Sequence, residues 1–481
     1  MVEVVLGIDL GTQGARIFAV SPSGEVLASA HGALAAGPQD LPAGWFEQDP
    51  GDWWLVVSGC LRQVMGQLPA QAQVAGISVD STSGTVLPVD GAGEPLHPAV
   101  MYNDRRSEEQ VPAVQAAGAD HQRRLGYVFG SSYALPKILW FKQARPDLFA
   151  RTRRFLHAAD YIAARLTGDF SYSDTSNALK TGYDLIDLRW PDFIERDLGI
   201  SADLLPQVVL PGQVVGRVST QAAGETGLPP GVPVLAGATD GTAAQIASGA
   251  AQPGEWNSTL GTTLVFKGIA RELRLDPLGR VYFHRHPEGW WMPGGASNTG
   301  TDWILQDHPG QDLDELNRQA AGCVPTRLVR YPLVKKGERF PFIHTGAAGF
   351  TVGEPAGPVE RYAAGLEGLA LVERLAYDTL REIGLEVGER VFITGGGTRS
   401  PVWSRIRASV LRKTLVQPAV TETALGAAVI AASGCWYPTI SQAAREMVEV
   451  ARVIEPDPAW QDIYDERYAA FTGELRKRGY V

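Results

Sequence analysis

Apolar residues along this chain gather in short runs that end in small or acidic ones. Val4, Val5, Leu6, Ile8 and Leu10 make the first run, residues 17–20 the second, and Gly11-Thr12-Gln13-Gly14 lies between them. Run, small-residue turn, run predicts a β-hairpin, and Gly24-Glu-Val-Leu-Ala28 adds a third strand of a meander. Asp49-Pro50 reads as an N-cap followed by proline at the first helical position, opening a helix that runs through Trp53 and Trp54 to about Leu68. Residues 74–79 form a compact buried strand that delivers Asp80-Ser-Thr-Ser-Gly84 at its end, and residues 85–89 leave that turn as another strand. Early strands that are antiparallel and later ones linked by helices predict a mixed sheet.

From 98 to about 210 the pattern is less regular. A loop is expected over Met101-Tyr-Asn-Asp-Arg-Arg106, with helices around 138–142 and 158–167. Ser173-Asp-Thr-Ser-Asn-Ala-Leu-Lys180 is polar and turn-rich, readable as a substrate-facing loop or as a plain connection. A strand is expected at 233–239, and there the opening theme returns. Asp240-Gly-Thr242 follows that strand, and 257–266 reads as a strand, a Gly-Thr-Thr turn and another strand. Two halves, each with an acidic residue and a Gly/Thr turn, indicate an internal duplication. Leu366, Leu369, Val372, Ala376, Leu380 and Ile383 recur at helical spacing over 361–384. A strand from Arg390 ends in Gly395-Gly-Gly397, a helix follows over 401–413, and the alanine-rich 423–433 suits close packing on a sheet.

The 481 residues exceed what one core organises, roughly 250–300, so two or more domains are expected. An apolar content of 44% with 20% charged residues is that of an ordinary globular protein. The net charge of −10 argues against a nucleic-acid backbone as partner, though not against a nucleotide held by local donors and a metal ion. Cys60, Cys323 and Cys435 show no paired spacing, which fits buried thiols in a reducing cytoplasm. No apolar run approaches the roughly 20 residues of a membrane span, and Asp9 interrupts the first run, so no signal peptide is read there. The expectation is a cytoplasmic chain with no nucleic-acid and no membrane partner.

The first turn suggests chemistry. Its glycines lack Cβ atoms, so backbone N–H groups can come close to a phosphate. Asp9 has the wrong charge for a phosphate unless a divalent cation lies between them, as in a magnesium–nucleotide complex. A plain glycine-rich hairpin with a solvated aspartate accounts for this stretch about as well when it is taken alone.

Six pieces taken in order change that balance: Asp9-Leu-Gly-Thr12, Asp80-Ser-Thr-Ser-Gly-Thr85, Asp240-Gly241, Leu260-Gly-Thr-Thr263, Gly295-Ala-Ser-Asn298 and Gly395-Gly-Gly397. Together they resemble the motifs of the FGGY carbohydrate kinases over nearly the whole chain. The resemblance implies a two-domain α/β fold of the actin-like ATPase (ribonuclease H-like) type. Each domain would be a mixed β-sheet with flanking helices, with the active site in the cleft between them. Residues 1–246 would be the sugar-binding N-terminal domain carrying the first phosphate turn, and 247–420 the ATP-binding C-terminal domain. Residues 421–481 would be a helical segment packing back near the N-terminal domain. Stretches 82–87, 176–180 and 337–341 look most like the D-ribulose kinase branch, whose members are often labelled xylulokinase-like. The Gly-Gln-Met-His-Gly turn usual in xylulokinases is replaced here by Ser81 to Gly84, and the Thr-Asn-Gln-Arg-Glu signature of glycerol kinases is absent. The implied reaction is ATP-dependent phosphorylation of a pentulose at its C5 hydroxyl, with D-ribulose first. D-xylulose, or another ketose or polyol, is the alternative; an ATP-gated binding protein or sugar sensor is the remote one.

Carried onto this chain, the resemblance implies Asp240 as general base, a role that competes with a plain helix N-cap. Asp9 would hold Mg2+ through water and contact the sugar. Gly11, Thr12, Gln13 and Gly14, with Gly261, Thr262 and Thr263, would present donors to the phosphates. Gly395, Gly396 and Gly397 would lie flat against the nucleotide. Ser400 and Trp403 would line the adenine pocket, although Trp403 reads equally well as a core residue. Ser83 and Asp104 would join Asp9 and Asp240 at the sugar, an ion pair of Asp104 with Arg105 or Arg106 being the other reading. Arg16 would add charge or lie in solvent. The histidines and Trp290-Trp291 receive no catalytic role. The expected ligands are ATP, Mg2+ and a small sugar, and a homodimer is allowed.

Overall fold

The computed structural model describes residues 2–38 and 40–481. They divide into two compact units. The first holds the chain up to Ala247 together with His284–Gly289 and Glu422–Val448. The second holds Ser248–Phe283, Trp290–Thr421 and Glu449–Val481.

The first unit is built on a six-stranded sheet in the order Val214–Arg217, Pro233–Thr239, Gln73–Ser81, Glu3–Leu10, Gly14–Val20, Val26–Ala33. Glu3–Leu10 runs antiparallel to Gly14–Val20 and parallel to Gln73–Ser81, which in turn runs parallel to Pro233–Thr239. From Val4 to Ile8 the first strand is buried at every position. A strand covered on both faces has no polar side to show, which is why its sequence is a run and not an alternation. The helix Pro50–Gln67 packs on Gly14–Val20 and Val26–Ala33, and Thr423–Ser433 packs on Glu3–Leu10 and Gln73–Ser81. Asp49 caps the former, its carboxylate accepting from Gly51 N–H. Residues 424–432 of the latter are all buried. A Cβ on Gly7 would stand 1.9 Å from the Ala424 carbonyl oxygen, and one on Gly426 2.0 Å from that of Ala243. Glycine at both positions is the condition for this close packing.

The second unit carries a seven-stranded sheet in the order Tyr282–Arg285, Trp291–Ser297, Leu264–Gly268, Trp256–Leu260, Arg390–Thr394, Thr414–Pro418, Val450–Ile454. Trp256–Leu260 is antiparallel to Leu264–Gly268 and parallel to Arg390–Thr394. Those are the relations of Glu3–Leu10 to its own two neighbours. The duplication read from the sequence therefore appears as the same three-strand arrangement in each unit. The long helix Pro358–Glu382 buries the apolar positions expected of it from Leu366 to Leu380.

Three stretches differ from expectation. The chain beyond 421 is not one helical segment: Thr423–Ser433 and Ile440–Met447 belong to the first unit, whereas Val450–Ile454 pairs antiparallel with Thr414–Pro418 in the second. Its first turns are apolar and helical, but its β-branched residues at 450, 453 and 454 extend a sheet edge. The strands Tyr282–Arg285 and Trp291–Ser297 are not predicted by the sequence pattern, the first being only four residues long and the second interrupted by Pro293, Gly294 and Gly295. Ser173 to Lys180 is ordered, with the short strand Tyr172–Asp174 followed by one turn of helix, Thr175–Ala178. Among the described residues no helix is long and apolar enough to cross a membrane.

Candidate functional site

In the first unit three aspartates meet at the ends of three adjacent parallel strands. Asp9 and Asp80 are register partners on Glu3–Leu10 and Gln73–Ser81. Asp80 is also level with Ala238 on Pro233–Thr239, whose next element begins at Asp240. Parallel partners point to the same face, so this topology brings together carboxylates far apart in sequence. Asp9 and Asp240 are partly exposed. Asp80 is fully buried, and neither of its oxygens has a hydrogen-bond partner among the described residues. Burial first, then the charges of Asp9 and Asp240, push the Asp80 carboxyl well above the usual carboxylate range. Asp80 was not picked out from the sequence as a site residue. The signal was available: like Asp9, it is an acid closing an apolar run.

The phosphate turn leaves Asp9 directly. Gly11 N–H donates to Gly14 O at 2.9 Å, and the side chain of Gln48 donates to Thr12 O at 2.7 Å. Thr12 and Gln13 stay exposed, while Gly11 and Gly14 are half-buried. A Cβ on Gly14 would meet the Gly32 carbonyl oxygen at 2.4 Å, so the turn is fixed against the third strand. Arg16 points to solvent.

Ser83 lies half-buried in the turn after Gln73–Ser81. That turn is held from three sides. Gly84 has φ +82°, Ser81 Oγ accepts from Ala159 N–H at 3.0 Å, and Lys137 Nζ donates to the carbonyl oxygens of Gly84, Ser131 and Tyr133 at 3.3, 2.6 and 3.2 Å. Beside it, His157 donates from Nδ1 to Thr85 O and accepts at Nε2 from Thr181 Oγ1. Burial lowers the pKa of this imidazole to about 4.

Asp104 is not placed to bind sugar. It is fully buried, and its carboxylate accepts four hydrogen bonds: from Arg106 N and Nε on one oxygen, and from Phe46 N and Arg106 Nη2 on the other. Four acceptor sites are all that a carboxylate has. The ion-pair alternative, with Arg106, describes this residue.

The second unit repeats the turn. Gly261 N–H donates to Thr263 O at 3.1 Å, as Gly11 does to Gly14, with Thr262 exposed and Gly261 and Thr263 partly so. At the end of the neighbouring Arg390–Thr394 strand, Gly395 has φ +88°, and a Cβ there would stand 2.5 Å from Leu260 O. Gly396 is exposed and Gly397 buried against Leu260. Backbone donors are thus presented where side chains have been removed. Ser400 caps the helix Pro401–Leu411, accepting from Trp403 N–H at 3.2 Å and donating to Asn317 Oδ1 at 2.7 Å. Trp403 is buried, its indole N–H donating to Leu366 O at 2.9 Å. It is a core residue, and the adenine-lining alternative does not describe it.

Comparison with known proteins adds to this geometry. The model of the N-terminal domain of the FGGY family of carbohydrate kinases matches residues 4–247, and that of the C-terminal domain matches residues 257–435. The chain is similar to a xylulose kinase of Bacillus subtilis (strain 168), 27% identical over 469 residues, covering 94% of this chain and 93% of that one. It is also similar to a gluconokinase of the same organism, 25% identical over 452 residues, 90% of this chain and 88% of that one. Among solved structures, the xylulose kinase from Rhodospirillum rubrum matches with a TM-score of 0.86 at 28% identity, covering 98% of each chain.

Proposed function

The chain belongs to the FGGY family of carbohydrate kinases, has the two-domain α/β fold of the actin-like ATPases and is an ATP-dependent carbohydrate kinase; we propose that its acceptor is a pentulose, D-xylulose ahead of D-ribulose, phosphorylated at the C5 hydroxyl. The preference reverses the order expected from stretches 82–87, 176–180 and 337–341. It is supported by the xylulose kinases that align along nearly the whole chain.

The observation that carries the chemistry is the placement of Asp240 at the end of a strand two places from Asp9 in the sheet, with a glycine-rich phosphate turn leaving Asp9. Asp240 accepts the proton of the attacking hydroxyl as it adds to the γ-phosphorus. A carboxylate suffices for this, because the proton leaves only as the new P–O bond forms. Apart from those of Gly11 and Gly261, which donate within their own turns, the N–H groups at 11–14 and 261–263 bind phosphate oxygens, and Gly395 to Gly397 let the nucleotide lie against bare backbone. Ser83 contacts the sugar.

Mg2+ fits the residues present in one way. Although Asp9, Asp80 and Asp240 are neighbours, among the described residues no three or more His, Cys, Asp or Glu side chains are arranged to hold a metal ion by themselves, so the ion would be held by phosphate oxygens and its own waters, with Asp9 accepting from one water. That is how magnesium is usually bound beside a nucleotide. When bound, it neutralises charge on the β- and γ-phosphates.

The test is Asp240→Asn. Loss of a general base costs about 10²–10⁴-fold in turnover, while calorimetric affinity for the nucleotide should stay within twofold to threefold of the unsubstituted protein. Turnover that is nearly unchanged would remove Asp240 from this role.

A further inference from the structure

The stretch Gly337-Glu-Arg-Phe-Pro341 stands out in the sequence and has no part in the site as described above. In the structure Glu338 is buried, with 4% exposure, and its carboxylate gathers donors from three segments of the second unit. Oε1 accepts from Asn298 N–H at 2.6 Å and from Arg339 N–H at 2.9 Å. Oε2 accepts from Ser297 Oγ at 2.8 Å, and from Thr299 Oγ1 and Tyr331 OH at 2.9 Å each. Three of these five donors sit on the consecutive residues 297–299. Two further bonds tighten the same knot: Asn298 Nδ2 donates to Gly337 O at 3.0 Å, and Thr299 N–H to Ser297 Oγ at 2.9 Å. The loop carrying Glu338 is closed on itself. Glu338 and His344 exchange backbone hydrogen bonds at 3.0 Å, and Gly337 N–H donates to Ala347 O at 2.8 Å.

Residues 297–299 lead straight to the turn Gly261–Thr263. Leu264 N–H donates to Thr299 O at 3.1 Å, and Thr301 N–H to Gly261 O at 2.9 Å. Between these two bonds Gly300 packs so closely that a Cβ there would stand 1.9 Å from Thr262 O and 2.6 Å from Thr263 N. The turn therefore rests on 299–301, and 297–299 rests on Glu338. The matching turn of the first unit is backed by its third strand in the same way, Leu34 N–H donating to Gln13 O at 3.0 Å. In the second unit a buried carboxylate stands behind that backbone support.

Hydrogen bonds to a charged acceptor are the stronger ones, and buried donors that lose their acceptor carry the full desolvation cost. Without Glu338 the hydroxyls of Ser297 and Thr299 and the Asn298 N–H would have to find other partners, and the backbone at 297–301 would shift with them. Donors aimed at a ligand lose much of their effect when displaced by about 1 Å.

Building on the reading of 261–263 as a phosphate turn, we propose that Glu338 is a positioning residue for the nucleotide: its carboxylate fixes 297–299, and through them holds the donors of Thr262 and Thr263 in place for the phosphates of ATP. It acts on the phosphates and not on the adenosine, which lies against Gly395 to Gly397.

The experiment measures the affinities of the full chain for magnesium-ATP and for adenosine by calorimetry without sugar. Their ratio isolates what the phosphates contribute. In Glu338→Gln, where an NH2 replaces one acceptor oxygen, ATP affinity should fall about 10- to 100-fold and adenosine affinity by no more than about twofold. The sugar KM should not move. Glu338→Asp, which keeps the carboxylate, should recover part of the ATP affinity. Thr299→Val removes a single donor and should lose about three- to tenfold for ATP alone; it decides the matter by itself if Glu338→Gln does not fold. An ATP affinity that is unchanged, or that falls in step with that for adenosine, overturns the inference while leaving the phosphate turn standing. If the unsubstituted protein binds ATP no more tightly than adenosine, the reading of the turn fails, and this inference fails with it.

Discussion

Asp104→Asn separates a structural aspartate from a substrate contact, and its size can be worked from the geometry. The Asp104–Arg106 pair has no side-chain exposure on either partner. Asparagine keeps one carbonyl oxygen, able to serve Arg106 N and Nε, but turns an NH2 toward Phe46 N–H and Arg106 Nη2, two donors now facing a donor. Arg106 retains Glu47 at 2.7 Å and the Trp45 ring at 3.9 Å, so its charge is not left bare. Removing one partner of a buried pair costs about 3–5 kcal/mol, and the remaining contacts place this case near the lower figure. That is a large share of the roughly 5–15 kcal/mol by which a domain is stable. Urea unfolding of the full chain, followed by tryptophan fluorescence, should show the earliest transition moved to lower denaturant. Hydrogen exchange at the Phe46 amide, which donates to Asp104 at 2.6 Å, should speed up. At low temperature the folded fraction should keep its sugar KM. An unchanged midpoint and unchanged Phe46 protection with a tenfold higher sugar KM would refute the structural assignment and return Asp104 to the sugar.

Further substitutions read other parts of the structure. His157 is buried neutral with a pKa of about 4 against about 6.5 unfolded, so the unfolded chain binds the extra proton first as pH falls. Stability linked to it is complete above pH 6.5 and lost on descending to 4, and urea midpoints measured across that window should fall less steeply in His157→Gln. Gly395→Ala forces a Cβ to 2.5 Å from Leu260 O at a positive φ; calorimetry should show nucleotide affinity at least tenfold weaker with sugar binding retained. Trp403→Phe removes one hydrogen bond and part of a packed ring, costing about 1–3 kcal/mol in unfolding measurements while the KM for ATP stays put.

What the sequence made legible was local. The two Gly/Thr hairpin turns, the Asp49-Pro50 cap and the strand ending at Thr239 each arise from neighbours along the chain, where backbone sterics and capping act. Asp9 and Asp240 were legible because each closes an apolar run. Asp80 closes one too, but its meaning depends on strand order, which places it between the other two. The polar stretch 173–180 stood out in the sequence, but its fold did not: its order comes from Asp174, Ser176 and Thr239, a link across more than sixty positions. Asp104 and Trp403 failed in the opposite direction: an acid in a loop and a tryptophan after a glycine turn look available until their partners, Arg106 and the Leu366 carbonyl, are seen.

The most direct measurement is magnesium-ATP-dependent ADP release across D-xylulose, D-ribulose, xylitol, D-gluconate and glycerol, with a sugar-free control. The account predicts release that depends on a pentulose, with the highest kcat/KM for D-xylulose and D-ribulose next. A preferred acceptor among gluconate and glycerol, or ADP release as fast without any sugar, would contradict it.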